Sequence, residues 1–346
     1  MEMTQPGFFD LSERYLALSE CNDPLERLNQ AIDWSLFRRD LLRAFKKVKK
    51  SAAGRKPFPR LLMFKILVLQ SLYNLSDAQT EFQLRDRLSF IRFVGLRLED
   101  RIPDEKTIWA FREHLLKTNS YERLFNRFDA YLNKQGFCAS KGTIIDASLM
   151  PARIQRNNDD ETAVIKAGCL PNEWVDQPHK VAQKDIDARW TMKDKRCVFG
   201  YKNHIGIDVE HKLIRAYEMT DAAQHDSFLL PTLMSQSRHQ PNELIYADRA
   251  YQDHKTQRWL NQYGFTSQIP YRRTRKTKLA AEQIQFNKAV SKVRIRVEHV
   301  FAFIKQSMHQ RMIRSIGLNR ARAKISLVNL VYNLSRYEQL TRCHRV

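Results

Sequence analysis

Two aspartates in this chain stand alone at positions where a charged side chain is costly. Asp146 comes at the end of an apolar run in residues 143–147, and Asp248 ends a second run in residues 243–248. Both runs have the composition of a buried strand, in which an unpaired carboxylate is unfavourable. A bound cation would remove that cost. For either aspartate alone, a turn residue or a helix N-cap after the strand is the simpler interpretation.

A third acid lies in a long helix that the apolar spacing predicts over residues 282–310. Glu298 lies beside the apolar stripe of this helix, with Arg294 four residues before it and Lys305 seven residues after it. One helical face can therefore present a carboxylate between two cations. A salt-bridge ladder on a solvated face explains the same spacing, but not why Glu298 is nearly the only acid in this basic region.

Together the three carboxylates would offer hard oxygen ligands, which Mg²⁺ prefers; Mn²⁺ is a possible substitute. Two such ions about 3.5–4 Å apart activate an attacking hydroxyl and stabilise a leaving oxygen in phosphoryl transfer. In a basic protein, this chemistry points to the cutting or joining of nucleic acid.

The charge of the chain supports a polyanionic partner. Its 346 residues include 59 Lys and Arg against 38 Asp and Glu, a net charge of +21. Residues 271–346 hold 18 Lys and Arg against three acids, and residues 38–60 hold ten against Asp40. Two solvated basic faces are the alternative, but contact with a phosphate backbone suits the uneven distribution better. Backbone contacts are expected from the basic loop that contains Arg272, Arg273, Arg275 and Lys276.

Composition excludes several other classes. With 43% hydrophobic and 28% charged residues, the chain is globular rather than disordered. The five cysteines form no C-x-x-C pair, which argues against a zinc site or a disulfide framework and fits a reducing cytoplasm. No targeting or membrane-spanning segment is recognisable, so we expect a cytoplasmic protein with no membrane partner.

The predicted secondary structure that positions these residues changes along the chain from helical to mixed α/β. Residues 1–23 are predicted to be a flexible leader, and residues 24–135 are almost entirely helical by their apolar spacing. From residue 136, short β-branched runs alternate with helices, which predicts a mixed α/β domain over residues 136–310. A basic helical extension packed on this domain is expected over residues 311–346.

Other residues in the α/β region are weaker candidates. Residues 198–209 and 213–220 are predicted to form a hairpin, in which Lys202 and His204 share one face of a strand. A histidine in a strand is more often structural than functional.

Asp185 and Asp187 are minor rivals for the role of Asp146, and Asp208 is predicted to be a turn residue. Three aromatic residues could stack on exposed bases, although packing is the simpler role for each: Trp174, Trp190 and Tyr251.

Four motifs in this chain resemble those of the bacterial DDE insertion-sequence transposases of the insertion-sequence-five family. They are TIIDA at 143–147, FGYKNH at 199–204, YADRAY at 246–251, and the R-x3-E-x6-K pattern formed by Arg294, Glu298 and Lys305. The resemblance extends over about residues 57–337. The chain departs from the family pattern at Ser291, where a tyrosine is usual, and at Ala250, where glycine is common.

The resemblance implies a ribonuclease H-like catalytic domain in which Asp146, Asp248 and Glu298 are the catalytic residues and the Mg²⁺ ligands. It also implies a DNA-binding role for the helical region before it, and phosphate or DNA contacts near the site for Arg294, Lys305, Lys202 and His204. The expected enzyme binds the terminal inverted repeats of its own element on the bacterial nucleoid, cleaves there and joins the ends to target DNA. Such enzymes generally act as homodimers on paired ends.

Two alternatives remain open from the sequence. A ribonuclease H-fold nuclease that cleaves without joining needs the same three carboxylates. A non-catalytic repressor derived from a transposase needs only the DNA-binding surface, although the presence of all three acids disfavours it.

Overall fold

The computed structural model describes residues 10–45, 56–139, 141–193, 195–273 and 278–343. The predicted DNA contacts Arg275 and Lys276 lie outside these ranges. Two compact units make up the chain: Met1–Phe128 with Leu330–Val346 forms the first, and Asp129–Asn329 forms the second. The sequence predicts domain boundaries between elements, after residues 135 and 310. In the structure the boundaries fall inside two helices, Ser120–Lys134 and Leu318–Cys343.

The first unit is helical throughout the part that the structure describes. Its helices are α1 Asp10–Glu20, α2 Pro24–Ala31, α3 Arg38–Ala44, α4 Arg60–Leu72, α5 Asp77–Asp86, α6 Leu88–Val94, α7 Glu105–Lys117, the first part of α8 Ser120–Lys134 and, from Leu330, the last part of the helix Leu318–Cys343. Local chemistry sets several helix starts. Asp23 and Asp104 cap α2 and α7, and Ser76 forms a capping box with Gln79 at the start of α5. Gly95, with φ 82°, ends α6.

The core of this unit is rich in aromatic side chains, which explains its strongly apolar sequence. Fully or almost fully buried members are Trp34, Phe37, Phe64, Phe90, Phe93, Phe125 and Phe128. Residues 10–20, part of the predicted leader, form α1. Arg92 of α6 donates hydrogen bonds to the Tyr15 carbonyl at 3.0 Å and the Ser19 hydroxyl at 2.9 Å. These bonds hold α1 against α6.

A six-stranded mixed sheet forms the centre of the second unit. Its strands are β1 Thr143–Pro151, β2 Arg189–Lys193, β3 Arg196–Asp208, β4 Ile214–Asp221, β5 Leu244–Tyr246 and β6 Thr266–Gln268. The order is β2-β3-β1-β5-β6, and β4 also pairs with β3. Strands β1 and β4 are antiparallel to β3, whereas β5 and β6 continue the sheet parallel to β1. The prediction of a mixed α/β unit with a β3–β4 hairpin is therefore confirmed.

Helices cover both faces of this sheet. The helices of this unit are α9 Asp159–Lys166, α10 Asn172–Val175, α11 Pro178–Gln183, α12 Leu230–Gln236, α13 His254–Gln262, α14 Ala281–Ala302 and, up to Asn329, the first part of α15 Leu318–Cys343. Ile145 on one face packs with Leu230 of α12 and Leu260 of α13, while Met150 on the other face packs with Ile325 of α15. The alternation of side chains along β1 thus supplies two hydrophobic layers.

The segment between β1 and β3 contains α9, α10, α11 and β2. These elements are short, and β2 pairs only with the first residues of β3. Strand β2 is mostly exposed, so it lacks the apolar alternation by which a strand is recognised. Among the described residues, no helix is both long and apolar enough to cross a membrane.

Candidate active site

The sheet brings Asp146 and Asp248 to neighbouring positions. Ile144 of β1 pairs with Tyr246 of β5 in parallel register, and each aspartate lies two residues beyond that pair. Asp248 lies two residues after the end of β5, close to the strand end at which the sequence places it. Asp146 lies inside β1 rather than at its end, because β3 pairs with all nine residues of β1 and extends the strand past the apolar run.

One arginine of α14 joins the two carboxylates. Arg294 donates from Nη2 to Asp146 Oδ2 at 3.2 Å and from Nη1 to Asp248 Oδ1 at 3.1 Å. Because the terminal nitrogens of a guanidinium are only about 2.3 Å apart, these two oxygens lie within about 9 Å of each other. The long helix predicted from the sequence therefore does reach both aspartates, through its arginine.

Glu298 follows Arg294 by four residues and is exposed on the same side of α14. The α-helix ends at Ala302 and continues as a π-helical turn, Phe303–Ser307, which contains Lys305. Burial and the nearby Lys193 lower the pKa of Lys305, and Glu298 opposes this shift. Lys305 is thus within electrostatic range of Glu298, as their spacing suggests.

Asp146 has an unusual electrostatic environment. Burial raises the pKa of its carboxyl to about 6; Glu298 and Asp248 add to this by repulsion, whereas Arg294 and the Ala147 N–H act in the opposite direction. The N–H of Ala147 donates to Asp146 Oδ1 at 2.8 Å. Both oxygens of Asp146 therefore already accept a hydrogen bond.

The donor chemistry of this site suits a hard divalent cation. Two carboxylates with waters and substrate phosphates are a usual Mg²⁺ environment, and Asp146 and Asp248 can supply that pair. In the parts of the chain that the structure describes, no three Asp, Glu, His or Cys side chains are grouped closely enough to hold a metal ion. A third ligand from Glu298 would therefore require α14 or its side chain to rearrange.

The structure does not place Lys202 and His204 at an open surface. Lys202 donates to the Gln224 carbonyl at 2.7 Å and to the Asp226 carboxylate at 2.8 Å. His204 is completely buried, and its Nε2 lies 2.9 Å from the Thr220 hydroxyl. Neither arrangement suits direct contact with DNA. The two side chains share one face of β3, as their spacing predicts, and there they contact Thr220 of β4 and the loop after β4.

A basic cleft lies next to Asp248. Its volume is about 490 Å³, and it is lined by His225, Arg249, Ala250, Arg272 and Arg273. Arg272 and Arg273 were expected to contact DNA, whereas Arg249 and His225 were missed. The signal for Arg249 was present in the sequence, since it directly follows the second aspartate.

The first unit has a separate basic cleft of about 730 Å³. Its lining consists of Arg39, Asp40, Leu42, Arg43, Phe45, Arg60 and Arg127. Arg127 is held by Asp40 through an ion pair of 2.7 Å. Arg39 and Arg43 are exposed. The basic block of residues 38–60 thus contributes side chains to a concave surface.

The remaining candidates from the sequence have structural roles. Asp185 accepts hydrogen bonds from the Tyr201 hydroxyl, at 2.7 and 2.8 Å to its two oxygens. Asp208 is completely buried and accepts from the Leu213 N–H at 3.1 Å, as a turn residue does. Trp174 is buried, while Trp190 is partly exposed and packs on Phe199.

Tyr251 is buried close to the aspartates. Burial raises the pKa of its hydroxyl, and the charges of Asp226, Asp146 and Asp248 add to the shift. The hydroxyl has no hydrogen-bond partner within the described part of the chain. Packing, rather than stacking on a base, is therefore the role of this ring.

Comparison with known proteins identifies the class of the protein as a transposase. Residues 139–334 match the family described as "Transposase DDE domain", and residues 13–114 match a "Transposase domain (DUF772)". Because the first match spans more than half of the chain, the chain belongs to the DDE transposase family and is a transposase enzyme.

Among solved structures, the chain is similar to the piggyBac transposase in a cryo-EM synaptic complex with hairpin DNA. The identity is 12% and the TM-score 0.46, over 93% of this chain and 76% of the other. A TM-score below 0.5 does not establish a common fold, so the family assignment depends on the two domain matches.

Proposed function

We propose that this transposase binds the terminal inverted repeats of an insertion sequence, cleaves DNA at those ends and joins the ends to target DNA with Mg²⁺. The observation that carries the proposal is the double contact of Arg294 with Asp146 and Asp248, since it joins the helix of Glu298 to both aspartates. The narrower assignment to the insertion-sequence-five family depends on the four sequence motifs.

A ribonuclease H-like fold is part of the proposal. An antiparallel β1-β3-β4 meander followed by β5 and β6, both parallel to β1, supports it. In this arrangement Asp146 comes from the first strand and Asp248 from the first parallel strand after the meander, and both lie close to α14.

Asp146 and Asp248 are the proposed Mg²⁺ ligands, with Glu298 completing the site and Mn²⁺ as a possible substitute. When bound, the metal would polarise the scissile phosphate and lower the pKa of the attacking hydroxyl. The chain's own residues bind and orient the DNA. Lys305 lies within electrostatic range of Glu298 and offers an ammonium to phosphate oxygens, and the cleft of Arg249, Arg272 and Arg273 carries the strand beside Asp248.

The proposal includes a homodimer on paired element ends, acting on the bacterial nucleoid in the cytoplasm. A joining reaction needs two ends held together, and two copies of a chain with one active site each would supply them. A nuclease without joining activity remains the alternative, since it uses the same carboxylates.

Three isosteric variants test the proposed site: Asp146→Asn, Asp248→Asn and Glu298→Gln. Each amide keeps the shape but loses the charge that a hard cation requires, so we expect cleavage and joining to fall at least about a hundredfold. DNA affinity should change little. The measurement uses a duplex carrying the inverted repeats that flank the gene, with Mg²⁺, and reads cleavage on gels and affinity by fluorescence anisotropy.

A second substrate separates the alternatives. Duplexes with pre-cleaved 3′ ends should be joined to plasmid DNA by the wild type. Cleavage without any joining would favour the nuclease. Near-normal activity of any one carboxylate variant would remove that residue from the site, and loss of DNA binding in all three would indicate a folding defect.

A further inference from the structure

Arg294 uses the oxygen atoms that a metal ion at the proposed site would need. Its two terminal nitrogens contact Asp146 Oδ2 at 3.2 Å and Asp248 Oδ1 at 3.1 Å. The other oxygen of Asp146 accepts from the Ala147 N–H. A cation that binds Asp146 therefore shares an oxygen with one of these donors, and its charge repels the adjacent guanidinium.

The guanidinium is only partly accessible to water. The side chains of Arg294 and Asp146 are each 17% exposed, whereas that of Asp248 is 49% exposed. Arg294 Nε is buried without a hydrogen-bond partner in the described residues. Charged groups at this depth interact more strongly than on the surface, and removal of one partner leaves the others uncompensated.

We propose that Arg294 is a positioning residue that competes with the divalent metal. Without metal, its guanidinium neutralises the carboxylates of Asp146 and Asp248 and holds them close together. When a metal ion binds, the guanidinium leaves the two carboxylates and becomes available to phosphate oxygens of the DNA. This inference rests on the proposed function, because it takes the aspartate pair as metal ligands.

Competition predicts the direction of a mutational effect. Arg294→Gln removes the competing charge but leaves both aspartates, so its affinity for Mn²⁺ should exceed that of the wild type by roughly tenfold. If Arg294 only supported the site, the same variant would bind Mn²⁺ more weakly, because the two carboxylates would no longer be held together. The two roles therefore differ in the sign of the effect.

The experiment is Mn²⁺ binding to the full-length protein without DNA, measured by electron paramagnetic resonance of the free ion. Lys292→Gln is the matched control, since Lys292 is exposed on the same helix and its loss changes the net charge equally. This control should bind Mn²⁺ within about twofold of the wild type. Arg294→Lys, whose single ammonium cannot bridge as a guanidinium does, should fall between the wild type and the glutamine variant.

Thermal unfolding provides a second readout. Without metal, Arg294→Gln should melt below the wild type, because Asp146 and Asp248 are no longer neutralised; saturating Mn²⁺ should raise its melting temperature more than that of the wild type.

Equal or weaker Mn²⁺ binding by Arg294→Gln and Arg294→Lys, with a wild type that binds, overturns the competition but leaves the metal site intact. A wild type that binds no Mn²⁺ overturns both the competition and the proposed metal site.

Discussion

Burial shifts the pKa values of two residues of the central sheet in opposite directions. It raises the pKa of Asp146 to about 6 and lowers the pKa of His204 to about 4. The cause is the same, because a buried site disfavours the charged form of either group. Protonation of the carboxylate on acidification favours the folded state, whereas protonation of the histidine opposes it.

The surroundings of His204 explain why its neutral form is needed. The Thr220 hydroxyl donates to the Asp221 carbonyl at 2.9 Å, so it accepts a hydrogen bond from His204 Nε2. His204 Nδ1 is buried and has no partner in the described structure. A proton on Nδ1 would therefore be an unsatisfied buried charge. Lys202 also disfavours it, whereas Asp226 and Asp221 partly oppose this effect.

We predict that His204 makes the folded protein lose stability as the pH falls from about 6.5 towards 4. In that window the unfolded chain binds a proton at His204 and the folded chain does not. The contribution between pH 7.5 and 5.0 is about 2 kcal/mol. It is measured as the difference in unfolding free energy between the wild type and His204→Gln, from urea titrations at both pH values.

Comparison with a variant is necessary because protonation of Asp146 increases the unfolding free energy over part of the pH range in which His204 decreases it. Subtraction removes its contribution, which both proteins share. His254→Gln, at an exposed position on α13, is the control. If the difference between wild type and His204→Gln stayed constant with pH, the buried neutral histidine would be refuted.

The residues of the candidate site could be predicted only in part. Their chemical types and spacing single out Asp146, Asp248 and Glu298, because an isolated acid in an apolar or basic segment can be recognised from the sequence alone. The double contact of Arg294 depends on how α14 crosses the sheet, which no local pattern encodes. The hydrogen-bond partner of His204, Thr220, likewise comes from another strand, β4, which pairs with β3.

At the scale of elements, the position of Asp146 beside Asp248 depends on the pairing of β1 with β5. Gly142, just before β1, has φ +109°, and a Cβ at that position would lie 2.5 Å from the backbone oxygen of Leu244 in β5. Its carbonyl also accepts from the Val209 N–H at 2.9 Å. Glycine therefore permits the close approach of β1 and β5 at this end of the sheet.

We predict that Gly142→Ala destabilises the protein by about 3 kcal/mol, from an unfavourable φ and a backbone clash together. Gly264→Ala is the matched control. Gly264 also has a positive φ, +73°, but nothing lies within 4 Å of its Cβ position, so only about 1 kcal/mol of backbone strain is expected. Urea denaturation compares the two variants.

The same pair of variants tests whether the strand pairing positions the aspartates. Gly142→Ala should also weaken Mn²⁺ binding, since displacement of β1 from β5 separates Asp146 from Asp248, while Gly264→Ala should not. Equal effects of the two variants on stability and on Mn²⁺ binding would contradict the role assigned to Gly142.

Element boundaries show where local reasoning ends. Residues that cap helices, such as Ser76 before α5, can be recognised in the sequence because capping is a contact between near neighbours. The extension of β1 past Asp146 depends on β3, about 50 residues away in sequence. The π-helical turn at Phe303–Ser307 carries no sequence signal that distinguishes it from a continuing α-helix. Non-local pairing and helix irregularity were therefore the parts that the sequence could not reveal.

At the scale of the whole molecule, part of the positive charge lines two clefts. Among the described residues, Arg39, Arg43 and Arg60 line a cleft in the first unit, and Arg249, Arg272 and Arg273 line a cleft in the second. The net charge predicts a polyanionic partner, and the positions of Lys and Arg along the chain define the two basic blocks. Neither could predict that Arg249 joins residues more than 20 positions later in one concave surface.

We predict that the two clefts contribute differently to DNA affinity. Arginines beside the carboxylates should bind the phosphate backbone of any DNA, whereas the helical unit should provide preference for the element ends, because helices can enter the major groove. The contribution of the second cleft is tested by a triple variant, Arg249→Ala with Arg272→Ala and Arg273→Ala. It should weaken binding to terminal-repeat DNA and to unrelated DNA by the same factor.

The salt dependence of binding shows whether phosphate contacts were lost. Each lost contact lowers the slope of log affinity against log salt concentration by about one, so the triple variant should reduce it by about three. The control removes three exposed cations outside the cleft by Lys166→Ala, Lys255→Ala and Arg258→Ala, and should reduce the slope by less than about one. Anisotropy titrations at several salt concentrations measure both slopes. If the cleft variant kept its slope and lost only repeat binding, these arginines would read DNA sequence. The division of affinity between the two units would then have to be reversed.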